Sequence, residues 1–494
     1  MILYLIGHPY KYECEKICRI YFPAEKIVFA ADGENAGDDA RTVRAEMKPD
    51  GANTVFLCEA DIDGRHALYA FAAQTPRGGD ENAVNSACER LLAKAMVKAL
   101  TRITGITPPW GILTGVRPSK LMRKYIAELG EAEARRRFTG LLEVTPEKTE
   151  LAFNVAQAEN ACVALSGNNS FSLYVSIPFC PTRCSYCSFV SHSIEQAKKL
   201  IPDYVRLLCR EIEDTARIAA RIGLKLETVY IGGGTPTSLD ARSLRRITDA
   251  LNASFDMKSV REFTVEAGRP DTIDREKLAV LKNAGVTRIS INPQTFSDEV
   301  LERIGRRHSA ADIYEKFELA RETGFDNINM DLIAGLPGDT PVGFRESLLA
   351  AVGLAPENIT VHTLALKRSS TLVTEEETDS VCRATSEMLD FARETLYGAG
   401  YSPYYMYRQS KSVGNLENVG WSKKGKDCLY NVYMMEEIHT VLAVGGGAVS
   451  RLVSPVDGAI ERVYNFKYPY EYVGRFDEQN ARKDAFAEFY KAHT

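Results

Sequence analysis

The chain has 494 residues, 45% of them hydrophobic and 26% charged, with a formal net charge of -5. That length suggests roughly two to four domains, and the composition is that of an ordinary soluble globular protein. No stretch approaches the roughly 18 apolar residues of a membrane span, and the slightly acidic balance gives no overall pull toward nucleic acid or an anionic membrane.

Residues 1 to about 110 read as a small α+β unit. Ile2 to Ile6 is a short apolar strand, and Tyr10 to Tyr21 has a helical pattern that puts Cys14 and Cys18 on one face as packing residues. Thr54 to Ala60 and His66 to Ala73 read as strands joined by the hairpin signal Asp61-Ile62-Asp63-Gly64. Asn82 to Ile103 is a long amphipathic helix, and Thr107-Pro108-Pro109 breaks the chain after it. Residues 111 to 168 look helical, with Thr145-Pro146 as a helix start. Two basic runs, Arg135-Arg136-Arg137 and Arg306-Arg307, read as solvated helix face or loop. The polar stretch Ser166 to Ser170 marks the first domain boundary, which gives an N-terminal domain over 1–168.

From Phe171 the pattern changes. Strand candidates fall at Leu173 to Ile177, Thr228 to Ile231, Glu262 to Glu266, Arg288 to Ile291, Asn327 to Leu332 and Ile359 to Leu364. Helical patterns fill the intervals: Ile201 to Ile222, Arg242 to Ser254, Arg275 to Ala284, Ser297 to Ile304, Ala310 to Thr323 and Pro341 to Val352. Alternation of this kind predicts a parallel sheet covered by helices. The fold class is therefore α/β, a partial (β/α)6 barrel over 169–370, with its active site expected at the carboxyl ends of the strands. A helix is expected from Glu375 to Gly398. Residues 371–494 form a C-terminal α+β domain, aromatic-rich and without repeats.

Cys180, Cys184 and Cys187 follow the first of these strands with the spacing C-x3-C-x2-C. Iron–sulfur clusters are held by cysteine thiolates, usually four. Three close cysteines leave one iron of a cubane open to another ligand. A zinc site usually closes with four ligands, often as two C-x2-C pairs, but no second pair is present and His192 fits such spacings poorly. Disulfide frameworks belong to short secreted chains, and nothing at the start of the sequence reads as a signal segment, so a reducing cytoplasm is expected. Spacing alone leaves a cluster, zinc, and buried structural thiols open, the cluster being favoured.

Other polar groups fall at the strand ends. The second strand runs into Gly232-Gly233-Gly234-Thr235-Pro236-Thr237, which lets a ligand approach the backbone closely. It lacks the spacing of a dinucleotide loop or a P-loop. Glu266 ends the third strand, Gln294 follows the fourth, Asp331 lies at the end of the fifth, and Arg306 falls in the loop after the next helix. Each alone reads as a capping or surface group; in series they read as the wall of a polar ligand site, with Arg306 a candidate partner for a carboxylate.

These motifs resemble the radical S-adenosylmethionine superfamily. Tyr174-x-x-Ile177-Pro178-Phe179-Cys180, Arg288-Ile-Ser-Ile-x-x-Gln294-Thr-Phe, Arg306-x-His308 and Asp331-Leu-Ile-x-Gly-Leu-Pro-Gly338 narrow the likeness to the oxygen-independent coproporphyrinogen III oxidase group. That resemblance covers about residues 171 to 450. The added N-terminal stretch Trp110 to Lys120 looks like the longer HemZ-type branch. The resemblance implies that Cys180, Cys184 and Cys187 hold a [4Fe–4S] cluster whose open iron is chelated by S-adenosylmethionine. Gly233, Gly234 and Thr235 would line the methionine moiety. Glu266, Gln294, Arg306 and Asp331 would meet the cofactor's polar groups, and Tyr174, Tyr186 and Ala365 would line it further. It also implies cleavage of the cofactor to a radical that removes a hydrogen atom from a propionate of coproporphyrinogen III, leading to a vinyl group in porphyrin and haem biosynthesis. The partners implied are a tetrapyrrole substrate and an electron donor such as flavodoxin or ferredoxin.

Three positions depart from the group. Phe189 stands where decarboxylating members commonly carry a fourth cysteine, and Ser176 where a histidine is often found. Tyr430-Asn431-Val432-Tyr433-Met434 lacks the histidine and tryptophan of the haem-chaperone motif. A haem-binding protein, with Tyr430 or Tyr433 at its site, and another radical reaction on a tetrapyrrole such as haem methylation with ring opening are the alternatives. Two C-terminal stretches also stand out: Tyr404-Tyr405-Met406-Tyr407-Arg408, either core or a platform for a carboxylated ring system, and Gly445-Gly446-Gly447, read as a tight turn against the barrel.

Overall fold

The computed structural model describes residues 1–30, 41–76, 80–115, 117–187, 191–365, 379–409 and 412–493. Phe189, the boundary at Ser370 and the first turn of the helix expected from Glu375 lie outside these residues. By contact the chain forms two compact units: 1–156 with 374–383 and 406–417, and 157–373 with 384–405 and 418–494.

The first unit opens with β1 (Ile2–Ile6), α1 (Lys11–Tyr21), β2 (Val28–Ala30), β3 (Thr42–Asp50), β4 (Asn53–Ile62), β5 (Arg65–Gln74) and α2 (Glu81–Thr104). Its sheet has the order β2-β1-β3-β4-β5. Along β4 the even positions from Thr54 to Ile62 are buried and alternate with more exposed neighbours, as one covered sheet face requires. Cys14, Cys18 and Cys58 sit in this core, and burial pushes all three thiols up. They are packing residues. β3, between β1 and β4, is absent from the sequence reading, although Val43, Ala45 and Met47 alternate with Arg44, Glu46 and Lys48. Helices α3 (Pro118–Leu129), α4 (Glu131–Gly140) and α5 (Pro146–Val163) follow.

The larger unit is built on an eleven-stranded sheet. Its elements are β6 (Ser170–Ile177), β7 (Phe179–Cys180), β8 (His192–Ser193), α6 (Ile194–Ala197), α7 (Ile201–Arg221), β9 (Lys225–Gly233), α8 (Ala241–Ser254), β10 (Glu262–Glu266), α9 (Arg275–Asn283), β11 (Arg288–Ser290), α10 (Asp298–Arg303), α11 (Ala310–Glu322), β12 (Ile328–Ala334), α12 (Pro341–Gly353) and β13 (Asn358–Thr363). Then come α13 (Asp379–Gly398), β14 (Ser402–Arg408), β15 (Glu417–Ser422), α14 (Leu429–Glu436), β16 (Thr440–Val444), β17 (Val449–Val453) and β18 (Ile460–Tyr464), with short helices to the end. The order β14-β15-β13-β12-β11-β10-β9-β6-β16-β17-β18 puts the six expected strands side by side and in sequence. They are parallel throughout. Helix starts are set locally: the Asp240 and Asp274 carboxylates accept from the Ser243 and Lys277 amides, and Ser309 with Asp312 forms a capping box.

A seventh parallel strand extends the barrel beyond the sequence reading. β16 pairs with β6 from Thr440 against Phe171 to Val444 against Val175. The glycines 445–447 therefore leave a strand at the same end of the sheet as the cysteine loop. Gly445 has φ +94°, and a Cβ there would lie 2.5 Å from the Ser176 carbonyl oxygen and 2.7 Å from the Tyr204 hydroxyl. The Gly446 carbonyl accepts from Ser176 Oγ at 2.9 Å, and its amide lies 2.8 Å from the Tyr204 hydroxyl oxygen. The turn thus holds the last residues of β6 before the cysteines.

Candidate functional site

The backbone before the cysteines is fixed first. The Gly234 amide donates to the Ile177 carbonyl at 2.8 Å, and the Thr235 amide to the Phe179 carbonyl at 2.7 Å. A Cβ at Gly234 would lie 2.6 Å from Phe179 O and 2.9 Å from Ile177 O. The glycine loop is therefore required by the chain that carries Cys180, a reason the sequence alone does not supply. Thr235 Oγ1 lies 3.5 Å from Cys180 Sγ. Burial pushes the Cys180 thiol up, so a thiolate there calls for a positively charged partner.

Beyond Cys180 the loop crosses toward α10. The Ser185 amide donates to Ile304 O at 3.1 Å, and the Cys187 amide to Cys184 O at 3.1 Å. Arg306 ties this loop to the sheet. Its guanidinium donates to Tyr186 Oη, Gly268 O and Asn292 O, all at 3.0 Å. Its Nε and Asn292 Oδ1 are buried without a hydrogen-bond partner among the described residues. Arg306 is thus no surface charge. Buried polar atoms left over beside a cysteine loop are what a missing polar ligand leaves behind.

Glu266, at the end of β10, accepts from the Tyr230 hydroxyl at 2.6 Å. Burial pushes its carboxyl up to about 7, against the pull of Tyr230, with the Asp331 charge adding to the rise. Tyr230 belongs to a ladder of three rings. It stacks 4.4 Å from Tyr430 and 6.2 Å from Tyr174, at 23° in both cases. Gln294 has φ +70°, a left-handed conformation uncommon for a non-glycine residue and found preferentially at functional sites. Its amide donates to Asp331 O at 2.9 Å, and its carbonyl accepts from Ile333 N at 3.0 Å. Burial would raise the Asp331 carboxyl, but His362 and Asn329 hold it below the usual carboxylate range; Asn329 Nδ2 is 2.8 Å from Asp331 Oδ1, and His362 Nε2 is 3.7 Å from Oδ2. Ala365 follows the end of β13.

The sequence-derived residues therefore gather at one end of the sheet, linked in three groups. Tyr174 and Glu266 join through Tyr230, Gln294 joins Asp331 through the backbone, and Tyr186 joins Arg306. Several participants had no signal in the sequence beyond their place in a strand or loop: Tyr230, Arg269, Asp271, Asn292 and His362. Arg269 is 3% exposed. It forks onto Asp271 with two bonds of 3.0 Å and reaches Cys184 Sγ at 3.5 Å.

The remaining aromatic and arginine candidates are mostly core residues. Tyr404, Tyr405 and Arg408 are buried, and the Arg408 guanidinium donates to the Leu113 and Asn415 carbonyls. They are core. Tyr430 and Tyr433 are also buried, and the Tyr433 hydroxyl donates to Glu227 at 2.7 Å. Tyr430 remains part of the site through its stack on Tyr230.

The residues fit an iron–sulfur cluster better than a single ion. Zn–S bonds of about 2.3 Å place the sulfurs of one tetrahedral ion roughly 3.8 Å apart. Among the described residues only Glu59, Asp61 and His66, on the exposed hairpin of the first unit, bring ligand atoms within 4.8 Å of one another. The three thiols do not form such a set, so they are not drawn together as a single tetrahedral ion requires.

A parallel open barrel with a three-cysteine loop and a glycine turn at its carboxyl end defines the radical S-adenosylmethionine class. The family model for that superfamily matches residues 174–351. Over 486 residues the chain is 36% identical to the oxygen-independent coproporphyrinogen-III oxidase-like protein HemZ of Bacillus subtilis, covering 96% of this chain and 93% of that protein. It is 41% identical over 197 residues to the heme chaperone HemW of the same organism, covering 40% of this chain and 51% of that protein. The structure of coproporphyrinogen III oxidase HemN from Escherichia coli matches with a TM-score of 0.51 at 24% identity, over 66% of this chain and 73% of that one; this likeness shows the fold. The chain belongs to the HemZ/HemW family of radical S-adenosylmethionine proteins. The cofactors of that superfamily are a [4Fe–4S] cluster and S-adenosylmethionine. No helix among the described residues is long and apolar enough to cross a membrane.

Proposed function

We propose that the protein carries out oxygen-independent decarboxylation of coproporphyrinogen III to protoporphyrinogen IX. Each reacting propionate would lose a hydrogen atom from its β-carbon, one electron and carbon dioxide, leaving a vinyl group. The observation that supports this reading is a three-cysteine loop, a glycine turn and several buried polar residues at the end of one sheet, in a chain alike over nearly its whole length to a coproporphyrinogen-III oxidase-like protein.

In this reading Cys180, Cys184 and Cys187 hold the cluster. Gly233, Gly234 and Thr235 face the methionine end of the cofactor; Tyr174, Tyr186, Glu266, Gln294, Arg306, Asp331 and Ala365 line the rest. When bound, cluster and cofactor supply hydrogen-atom abstraction from an unactivated carbon. The protein's own groups position and exclude. The Tyr174–Tyr230–Tyr430 ladder keeps water from the barrel interior behind Glu266, and Glu266, titrating near neutrality, is suited to hold a proton against a ligand carboxylate or hydroxyl. A flavodoxin or ferredoxin would supply electrons.

The test is anaerobic turnover of reconstituted protein with S-adenosylmethionine, a reductant and coproporphyrinogen III. Vinyl products with 5'-deoxyadenosine are expected. Formation of 5'-deoxyadenosine without a vinyl product would remove the substrate assignment. Similarity to HemW over the barrel supports a second reading, haem binding; a stoichiometric haem spectrum with no decarboxylation would favour it. The buried positions of Tyr430 and Tyr433 mean that their substitution would not abolish such binding by ligand loss.

A further inference from the structure

Arg269 and Asp271 are not among the residues that line the cofactor, yet Arg269 touches the cysteine loop. The Arg269 side chain is 4% exposed and that of Asp271 21%. Arg269 Nε and Nη2 donate to the two carboxylate oxygens of Asp271 at 3.0 Å. This two-bond fork fixes the plane of the guanidinium. Its remaining nitrogen, Nη1, is thereby aimed at the cysteine loop, where it donates to Thr182 Oγ1 at 3.1 Å and lies 3.5 Å from Cys184 Sγ. The Thr182 hydroxyl in turn donates to Gly305 O at 3.1 Å. His308 Nδ1 stands 3.9 Å from Asp271 Oδ1, and burial with the charge of Arg306 pushes its ring down to about 4, so it adds no positive charge.

The charge is therefore asymmetric with respect to the sulfur. The guanidinium meets Cys184 directly, while the compensating carboxylate stands on its far side. At Cys180, by comparison, Thr235 brings a neutral hydroxyl. Reduction potentials of iron–sulfur clusters respond to net charge, to hydrogen bonds at the sulfurs and to exposure. A buried cation beside one thiolate favours the more negative, one-electron-reduced state.

We propose that Arg269, oriented by Asp271, is a positioning residue that raises the reduction potential of the cluster held at Cys184. This rests on the cluster assignment of the preceding section and extends it to the electron-transfer step. That step takes one electron from a low-potential donor, and Arg269 makes it easier without moving a proton.

The experiment uses the full chain, reconstituted anaerobically, with iron content measured and dithionite reduction followed by electron paramagnetic resonance at set potentials. In Arg269→Gln the clusters that remain are expected to have a reduction equilibrium constant about tenfold lower, which is a potential about 59 mV more negative. Asp271→Asn should move the potential the opposite way, because the guanidinium loses its compensating charge. A merely structural role would lower the amount of cluster and leave its potential in place. Retained clusters in Arg269→Gln at the wild-type potential overturn the proposal. If that variant holds no cluster, Asp271→Asn decides, and a potential at or below wild type overturns it. Absence of a cluster from the wild-type chain would instead overturn the cluster assignment itself.

Discussion

At Gly234 a single added methyl group would meet two backbone carbonyls, Phe179 O at 2.6 Å and Ile177 O at 2.9 Å. A backbone atom retreats only by moving its strand, so Gly234→Ala is expected to displace the chain that carries Cys180. Reconstituted iron per chain should fall by half or more. At Gly353, in α12, a Cβ meets nothing within 4 Å, and Gly353→Ala should leave iron content unchanged. Titration at single residues gives a second expectation. His439 lies 2.7 Å from Ser172 Oγ and 3.1 Å from Ser166 Oγ, and burial pushes its ring down to about 3, with Arg451 adding to the effect. A histidine whose folded value is depressed binds fewer protons when folded. Its contribution is therefore complete above about pH 6.5 and is lost as pH falls toward 3, at up to about 1.4 kcal/mol per unit. Glu266 has the opposite sign: raised to about 7, it contributes stability at low pH that is lost as pH rises from about 4.5 to 7. Denaturation midpoints measured from pH 4 to 8 should show a flatter acid limb in His439→Asn and a flatter limb between pH 5 and 7 in Glu266→Gln. Unchanged slopes would refute both assignments.

Among the elements, α14 shows where sequence patterns stop being informative. Leu429–Glu436 has no polar face to reveal a helical period, because Tyr430, Val432, Tyr433 and Glu436 are all buried. Its start is held from a distant strand: Glu262, the first residue of β10, accepts from the Leu429 amide at 2.8 Å, the Tyr430 amide at 3.3 Å and Cys428 Sγ at 3.2 Å. Buried Arg288 stands 3.8 Å from the same carboxylate. Glu262→Ala would leave that guanidinium and the helix amides without their anion, at a cost of about 3–5 kcal/mol, readable as a lower urea midpoint; Glu262→Gln, which keeps an acceptor, should cost less. The six barrel strands were legible because each is a short buried run that alternates with a helical pattern. The cysteine spacing and glycine run were legible because they are local. β16 escaped because it is a five-residue segment, Thr440 to Val444, whose pairing with β6 spans about 270 positions. Arg269 and Asp271 escaped because a charged pair in a loop reads as surface until the fold buries it.

For the molecule as a whole, the barrel that the sequence outlines at 169–370 is not the compact unit that the contacts define, since residues 384–405 and 418–494 pack with it. A chain cut to 169–370 would leave the β6 backbone groups that face β16 without partners. It would also strip Glu211, fully buried, of four partners of its carboxylate: the Gly445 amide at 2.7 Å, the Tyr472 hydroxyl at 2.7 Å, Asn465 Nδ2 at 2.9 Å and Lys483 Nζ at 3.1 Å. Glu227 would lose Tyr433, and Glu262 would lose the start of α14. Each buried carboxylate left alone costs about 3–5 kcal/mol, so two or three of them consume the roughly 5–15 kcal/mol by which a folded protein is stable. The fragment should therefore lack a cooperative thermal transition by circular dichroism and retain no cluster after reconstitution, although it contains all three cysteines. A fragment that melts cooperatively and binds about four irons would show that the C-terminal strands and α14 are accessories, and that the six-strand barrel stands alone.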